Sequence, residues 1–242
     1  MNCPSTDLLP AVIDIAERAG QAILAIYRSD FTTATKADGT LVTLADREAE
    51  AIILAALEEL SPNIPIISEE SAATGNLPEV KGNNFWLVDP VDGTLEFVNR
   101  NDEFCVNIGL IMNGVPVLGV LYGPALDVTY AAAGQGSATR RRGSGPAEAI
   151  ATRAPPAEGL VAMLSRSHHR RPKTDDYLAQ FTITEQRPMG SALKLGLIAA
   201  GEADIYLRCE PTSEWDTAAG HAILDAAGGC LMTLRGEPFI YG

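Results

Sequence analysis

The sequence predicts a layered α/β chain, an α+β first half followed by an alternating second half, from three observations. Apolar residues keep helical spacing through 7–27 and again through 43–60, the period of a helix lying on a core. Apolar runs at 104–111, 115–122 and 127–133 are joined by Asn113-Gly114 and Gly123-Pro124, an antiparallel meander by its turn chemistry. From residue 160 onward short apolar strands alternate with helical stretches, which favours helices layered on a sheet.

In chain order, Leu8, Val12, Ile15, Ala16, Ala19, Ile23 and Ile26 give the first helix, with Thr6 or Asp7 as its cap. Residues 33–42 are polar and hold Asp38-Gly39, a hairpin signal. A second helix begins at Thr43, lines up Ala45, Ala49, Ile52, Ile53, Ala56, Leu57 and Leu60 as its apolar stripe, and stops before Pro62. Asp46 lies in its first turn, where the helix dipole alone explains an acid. The run Ile64-Pro65-Ile66-Ile67 closes on Glu69-Glu70, and 71–84 reads as a surface loop.

Residues 85–88 read as a strand that delivers Asp89-Pro90-Val91-Asp92-Gly93-Thr94 to a turn. Pro90 fixes its own φ and keeps Asp89 extended, so the two carboxylates leave the strand in a defined relative orientation. Gly93 allows close approach of backbone to a bound group. Taken alone, the same residues also describe a simple turn. After the meander, 140–156 reads as an exposed connection with a solvated Arg140-Arg141-Arg142 run. Strands follow at 160–164, 181–184, 203–207 and 229–234, with helices at 175–180, 191–200 and 215–227.

With 242 residues, 46% hydrophobic content and a mean hydropathy of +0.07, the chain is long enough for one unit, 1–242, made of a half 1–139 and a half 140–242. No apolar run reaches the roughly 20 residues of a membrane span, and the N-terminus lacks a signal-peptide pattern, so a cytoplasmic location without a transmembrane segment is expected. The four cysteines form no C-x-x-C, which argues against a zinc or redox pair. Lys plus Arg number 18 against 31 Asp plus Glu, for a formal charge of −13; a nucleic-acid polymer is therefore not an expected partner. An anionic substrate would need cations and a local basic patch to overcome that field.

Glu69-Glu70, Asp89, Asp92 and the Asp216 of Trp215-Asp216-Thr217 are acidic ends that need a common explanation. Two carboxylates about 4 Å apart repel by roughly 4 kcal/mol at an effective dielectric near 20, so a converging set must protonate, separate or bind cations. Oxygen donors without nearby histidine or cysteine suit a hard ion such as Mg²⁺.

The stretch W-L-V-D-P-V-D-G-T-L-E-F, with S-E-E upstream and W-D-T-A-A-G-H-A downstream, resembles the inositol monophosphatase superfamily, and within it the 3′(2′),5′-bisphosphate nucleotidases. That resemblance covers nearly the whole chain and implies the layered α-β-α-β-α sugar-phosphatase fold. It implies two or three Mg²⁺ ions and inhibition by lithium. Glu69, Asp89, Asp92 and Asp216 would be metal ligands with the Val91 carbonyl, and Glu70 would stand behind them. Thr94 and Asp46 would activate water, and the Gly93 and Thr94 N–H groups would hold phosphate. Ser165 and His168 of S-R-S-H, Ser191 and Lys194 of S-A-L-K, and Arg208 would bind the nucleotide and its second phosphate. The implied substrate is adenosine 3′,5′-bisphosphate (PAP), with its sulfated relative PAPS beside it, in sulfur assimilation, for a monomer or homodimer. Inositol or fructose-bisphosphate hydrolysis is the alternative within the superfamily, and a binding protein without turnover the alternative outside it. Leu95 and Glu210 depart from the pattern, at positions where relatives commonly carry lysine and often glycine.

Overall fold

Two long helices and a central sheet organise the chain in a computed structural model, which describes residues 4–35, 41–78, 84–166 and 172–242. Helix α1 spans Pro4–Tyr27. Strands β1 (Thr33–Thr35) and β2 (Leu41–Thr43) pair antiparallel; the Asp38-Gly39 turn lies outside the described residues. Helix α2 (Leu44–Leu60) buries Ala45, Ala49, Ile53 and Leu57, one residue per turn on a single face, and alanines in that row let α1 pack close. Thr43 caps it: its Oγ1 accepts the Ala45 N–H at 3.1 Å while Asp46 Oδ2 accepts the Thr43 N–H at 2.7 Å, a reciprocal capping box.

A seven-stranded sheet follows in chain order, β3 (Ile66–Ser68), β4 (Asn84–Asp92), β5 (Cys105–Met112), β6 (Val115–Gly123), β7 (Val128–Ala133), β8 (Thr139–Arg142) and β9 (Glu148–Ala149). The β3–β4 pair is parallel and the rest antiparallel. Both faces are covered, which is why β5 and β6 read as apolar runs without alternation. Trp86, Val88, Ile108, Leu110, Leu118 and Val120 face α1 and α2. Phe85, Leu87 and Ile111 face the other way, onto Ala218 and Tyr241. Trp86 is fully buried, and its indole N–H donates to Ser61 Oγ at 2.8 Å, satisfying the polar atom that so large a buried ring carries.

In the second half β10 (Leu160–Ser165) lies between β11 (Ile183–Met189) and β12 (Ile205–Tyr206), all parallel. Helix α5 is counted in chain order after α3 (Glu69–Ala73) and α4 (Thr94–Val98); it spans Pro172–Leu178 and links β10 to β11, while α6 (Leu193–Ala199) links β11 to β12. The strand order reverses between the two connections, so right-handed crossovers send α5 and α6 to opposite faces. A 3₁₀ turn (Glu214–Asp216) leads into α7 (Ala218–Ala226). Helix α7 rests on the central sheet at Gly119, where a Cβ would lie 2.1 Å from the Ala219 carbonyl oxygen. Helices α6 and α7 thus separate the two sheets.

Four expectations need correction. Strand β4 runs on through Asp92 instead of ending at Val88, because the carboxylate segment keeps pairing with β5. The 140–156 stretch is largely exposed, as expected, but its start is not a bare connection: Arg140 pairs with Glu202 and Arg141 with Glu17, and β8 and β9 extend the central sheet past residue 139. The strand expected at 181–184 forms at Ile183–Met189, where hydrogen bonding to β10 overrides a largely exposed sequence. Residues 229–234 form no strand, only a bridge between Met232 and Pro238, since Gly228, Gly236 and Pro238 interrupt a ladder.

Candidate active site

The two carboxylates of the organising motif reach the same side of the sheet through a bulge. Asp89 pairs with Asn107 and Asp92 with Cys105, three steps on β4 against two on β5. On a regular strand, residues three apart point to opposite faces. The extra residue returns Asp92 to the face of Asp89, a common use of bulges beside functional sites. Gly93 follows at φ 92° and opens α4 at Thr94, a left-handed turn for which glycine carries no steric penalty.

These residues line a cleft of about 780 Å³. Its lining holds an acidic set, Glu69, Asp89, Asp92, Glu96 and Asp216 with Val91, Gly93 and Thr94, and a basic and hydroxyl set, Ser165, Ser191, Lys194 and Arg208. Ser165 ends β10 and Arg208 follows β12, neighbouring parallel strands whose connections diverge, the usual crevice of an open α/β sheet. Asp46, Glu70 and Glu210 do not line the cleft. His168 lies outside the described residues.

Asp46 is 1% exposed and serves two neighbours at once: Oδ2 caps α2, and Oδ1 accepts the Thr94 hydroxyl at 3.3 Å. The helix-cap explanation holds for one oxygen, and the other is bonded to Thr94 at the cleft. Burial raises its carboxyl above the ordinary carboxylate range, against hydrogen bonds from Thr43 that pull it down, and the charge of Glu70 pushes the same way as burial. The Val91 carbonyl competes for the Thr94 proton at 3.2 Å.

Burial raises Asp89 well above its usual value, and the charges of Glu69, Asp92 and Asp216 add to that. Asp92 is pushed up to about 6, first by burial and then by Asp216, while Lys194 and the N–H groups of Asn107 and Ala192 oppose the rise. Negative charge on Asp89 and Asp92 is thus costly, which is the condition a divalent cation relieves. Among the described residues no group of three or more acidic, histidine or cysteine side chains is already placed to hold a metal ion. Asp92 Oδ2 is turned to Asn107 Nδ2 at 3.1 Å, and Asp216 Oδ2 to Thr212 Oγ1 at 2.6 Å. These bonds fall on Oδ2, so ligation through Oδ1 would leave them in place. An all-oxygen set of carboxylates and one carbonyl fits Mg²⁺ by its chemistry.

Lys194 is 4% exposed. Its Nζ donates to the carbonyl oxygens of Met189 and Ser191 and lies 5.1 Å over the Tyr206 ring. Burial draws its pKa below the usual lysine range, and Asp92 draws it back up. Arg208 donates to the Pro211 carbonyl at 3.1 Å. Leu95 is 43% exposed at the cleft.

Two residues that shape the site escaped sequence reasoning. Glu50 of α2 accepts from Ser68 Oγ and, at 3.0 Å, from the Ser71 N–H, which fixes the start of the helix carrying Glu69. Nothing in the sequence marks it. Asn107 bonds Asp92 directly, and a lone amide inside an apolar strand was a signal that it has a partner.

The family model described as the inositol monophosphatase family matches residues 5–242. The chain belongs to that family. It is 40% identical over 236 residues to the 3′(2′),5′-bisphosphate nucleotidase CysQ of Escherichia coli K12, covering 97% of this chain and 94% of that protein. Identity to the CysQ of Salmonella typhimurium is 42% over 240 residues, at the same coverage. Among solved structures of the inositol monophosphatase family, CysQ from Bacteroides thetaiotaomicron superposes with a TM-score of 0.75 at 36% identity, over 93% of this chain and 88% of that one. The suhB protein of Bartonella henselae gives 0.76 at 27%, over 94% and 88%. Members of the inositol monophosphatase family thus share the fold over nearly the whole length. No helix among the described residues is long and apolar enough to cross a membrane.

Proposed function

We propose that this chain is a Mg²⁺-dependent, cytoplasmic phosphatase that removes the 3′-phosphate of adenosine 3′,5′-bisphosphate, leaving AMP and phosphate, and that it also accepts the sulfated relative PAPS. The observation that carries the reading is that one cleft is lined both by Glu69, Asp89, Asp92 and Asp216 and by Lys194 and Arg208, since a bisphosphate needs cation-assisted chemistry at one phosphate and direct basic contacts at the second. Identity at 40% over 97% of the chain to a nucleotidase supports it further.

Mg²⁺ ions held by Glu69, Asp89, Asp92, Asp216 and the Val91 carbonyl would neutralise phosphoryl oxygens and lower the pKa of a water, with two or three ions and lithium inhibition as the family pattern. Thr94 donates a hydrogen bond to Asp46 and so presents lone pairs to that water; as the water's proton passes to Thr94 Oγ1, Thr94 passes its own to Asp46, a net transfer of one proton. The N–H groups of Gly93 and Thr94 face the scissile phosphate, and Glu70 acts on Asp46 through its charge. Ser165, Ser191, Lys194 and Arg208 hold the nucleotide and its 5′-phosphate, together with His168 from the sequence motif. Lys194 spends two of its three donors on carbonyls and keeps one for an anion.

Leu95 favours the second reading, inositol or fructose-bisphosphate hydrolysis, because an apolar side chain stands at the cleft mouth in place of a cation. Phosphate release with Mg²⁺ from adenosine 3′,5′-bisphosphate, inositol 1-phosphate and fructose 1,6-bisphosphate, with and without lithium, separates the two. Preference for the nucleotide is the expected result; preference for a sugar phosphate would replace the first reading with the second.

A further inference from the structure

We infer that Glu103 and Arg166 form a clamp that sets the substrate-holding edge of the second half against the carboxylate end of the first, an inference that rests on the phosphatase reading above. Glu103 belongs to the segment between α4 and β5. Its carboxylate accepts Arg166 Nε at 2.6 Å and Nη2 at 2.5 Å, and its Oε2 also accepts the Gly190 N–H at 2.7 Å. Arg166 meanwhile donates Nη2 to the Pro188 carbonyl at 3.1 Å and its N–H to Met189 at 3.2 Å. One carboxylate from the first half thereby gathers the C-terminal ends of β10 and β11.

The bidentate geometry fixes angle as well as distance. The Glu103 side chain is 14% exposed and that of Arg166 40%, so the pair is shielded from the carboxylate side and open on the guanidinium side. Gly190 is required for the approach, because a Cβ there would lie 2.7 Å from the Glu103 carbonyl oxygen and 2.4 Å from Glu96 Cγ.

Ser165 and Ser191, one residue away on either arm of the clamp, both line the cleft. Ser191 is held at φ 50°, a conformation non-glycine residues keep only where the surroundings over-determine it. Here its two neighbours are pinned to two acids of the first half, Gly190 N–H to Glu103 and Ala192 N–H to Asp92. Ser191 hangs between the clamp and the carboxylate end of β4. Glu103 and Arg166 are thus positioning residues, acting on substrate through Ser165 and Ser191.

The test compares wild type with Glu103→Gln, Arg166→Gln and the double variant on adenosine 3′,5′-bisphosphate and on 4-nitrophenyl phosphate, alongside amide hydrogen exchange. Each single change is expected to raise KM for the bisphosphate about tenfold with kcat within about twofold, since misplacing a binding edge costs affinity ahead of chemistry. The small monoester, which does not reach the second-half edge, keeps its kcat/KM. The double variant matches the singles, and exchange quickens at 189–192 but not in α1. An equal loss of kcat on both substrates, or unchanged KM and exchange, would overturn the clamp. If wild type leaves the bisphosphate intact, the phosphatase reading fails by itself. Exchange in Glu103→Gln then decides the clamp: quickened exchange at 189–192 keeps it, and unchanged exchange ends it.

Discussion

The acidic and basic sides of the cleft are built in different ways. On the acidic side, Asp89, Val91, Asp92, Gly93 and Thr94 come from one strand end and one turn, aimed by a one-residue bulge, and packing adds only Glu69 of α3 and Asp216 of the 3₁₀ turn. On the basic side, Ser165, Ser191, Lys194 and Arg208 come from three strand ends and a helix, and only tertiary contacts bring them together. A local motif can be rigid by its own backbone chemistry, whereas the basic side depends on carbonyls around Lys194 and on the tie between Glu103 and Arg166. Damage to the acidic side should therefore cost chemistry, and damage to the basic side should cost recognition.

The largest break in that contrast is Asp92→Asn. It keeps the shape and the Asn107 contact but removes a ligand charge, so Mg²⁺-dependent turnover should fall about 10³-fold or more, with a thermal midpoint within a few degrees of wild type. Near-normal turnover would remove the metal assignment.

Thr94→Ala comes next, at about a hundredfold in kcat with little change in KM, as expected for loss of a proton-handling group. Steady-state kinetics on the bisphosphate give the answer, and a rise in KM at constant kcat would reassign Thr94 to binding.

Lys194→Met keeps volume in a buried place while deleting the ammonium. KM for the bisphosphate should rise about tenfold, and a sugar monophosphate should lose less. Equal losses on both would make Lys194 a general support of the fold.

The smallest effect is a control behind the basic side. Asp204, at the start of β12, accepts from Arg153 Nε at 2.8 Å and from the Val161 N–H at 2.7 Å, and these bonds hold its carboxyl below the usual range, the Arg153 bond first. A depressed folded-state value stabilises the protein above about pH 4 and loses that contribution as the pH falls through the lower value. Asp204→Asn should cost about 1 kcal/mol at pH 7, given the exposure of Arg153, and should flatten the acid limb of a urea-stability profile. An unchanged limb would show the pair to be inert.

The centre of the acidic side was legible in the sequence because its information is local: an apolar run ending in Asp-Pro-Val-Asp-Gly-Thr states both a strand end and a turn, whereas Glu69 and Asp216 join it only through the fold. Strand β4 was misjudged only in length, since the bulge that carries it to Asp92 depends on β5. The helices 7–27 and 43–60 were legible by period alone. The arginines at 140–142 were not, because Glu17 and Glu202 are distant in sequence and nothing local names them as partners. Glu50 and Glu103 were hidden for the same reason: an ordinary charged residue becomes a positioning group only once the fold supplies its neighbour.

The most direct measurement of this division of labour is the identity of the product from adenosine 3′,5′-bisphosphate, followed by phosphorus NMR in the presence of Mg²⁺. If the acidic side performs the chemistry while the basic side holds the second phosphate, 5′-AMP accumulates with one equivalent of phosphate and is not consumed further. Accumulation of the 3′-monophosphate, or of adenosine with two equivalents of phosphate, would contradict the assignment of the two sides.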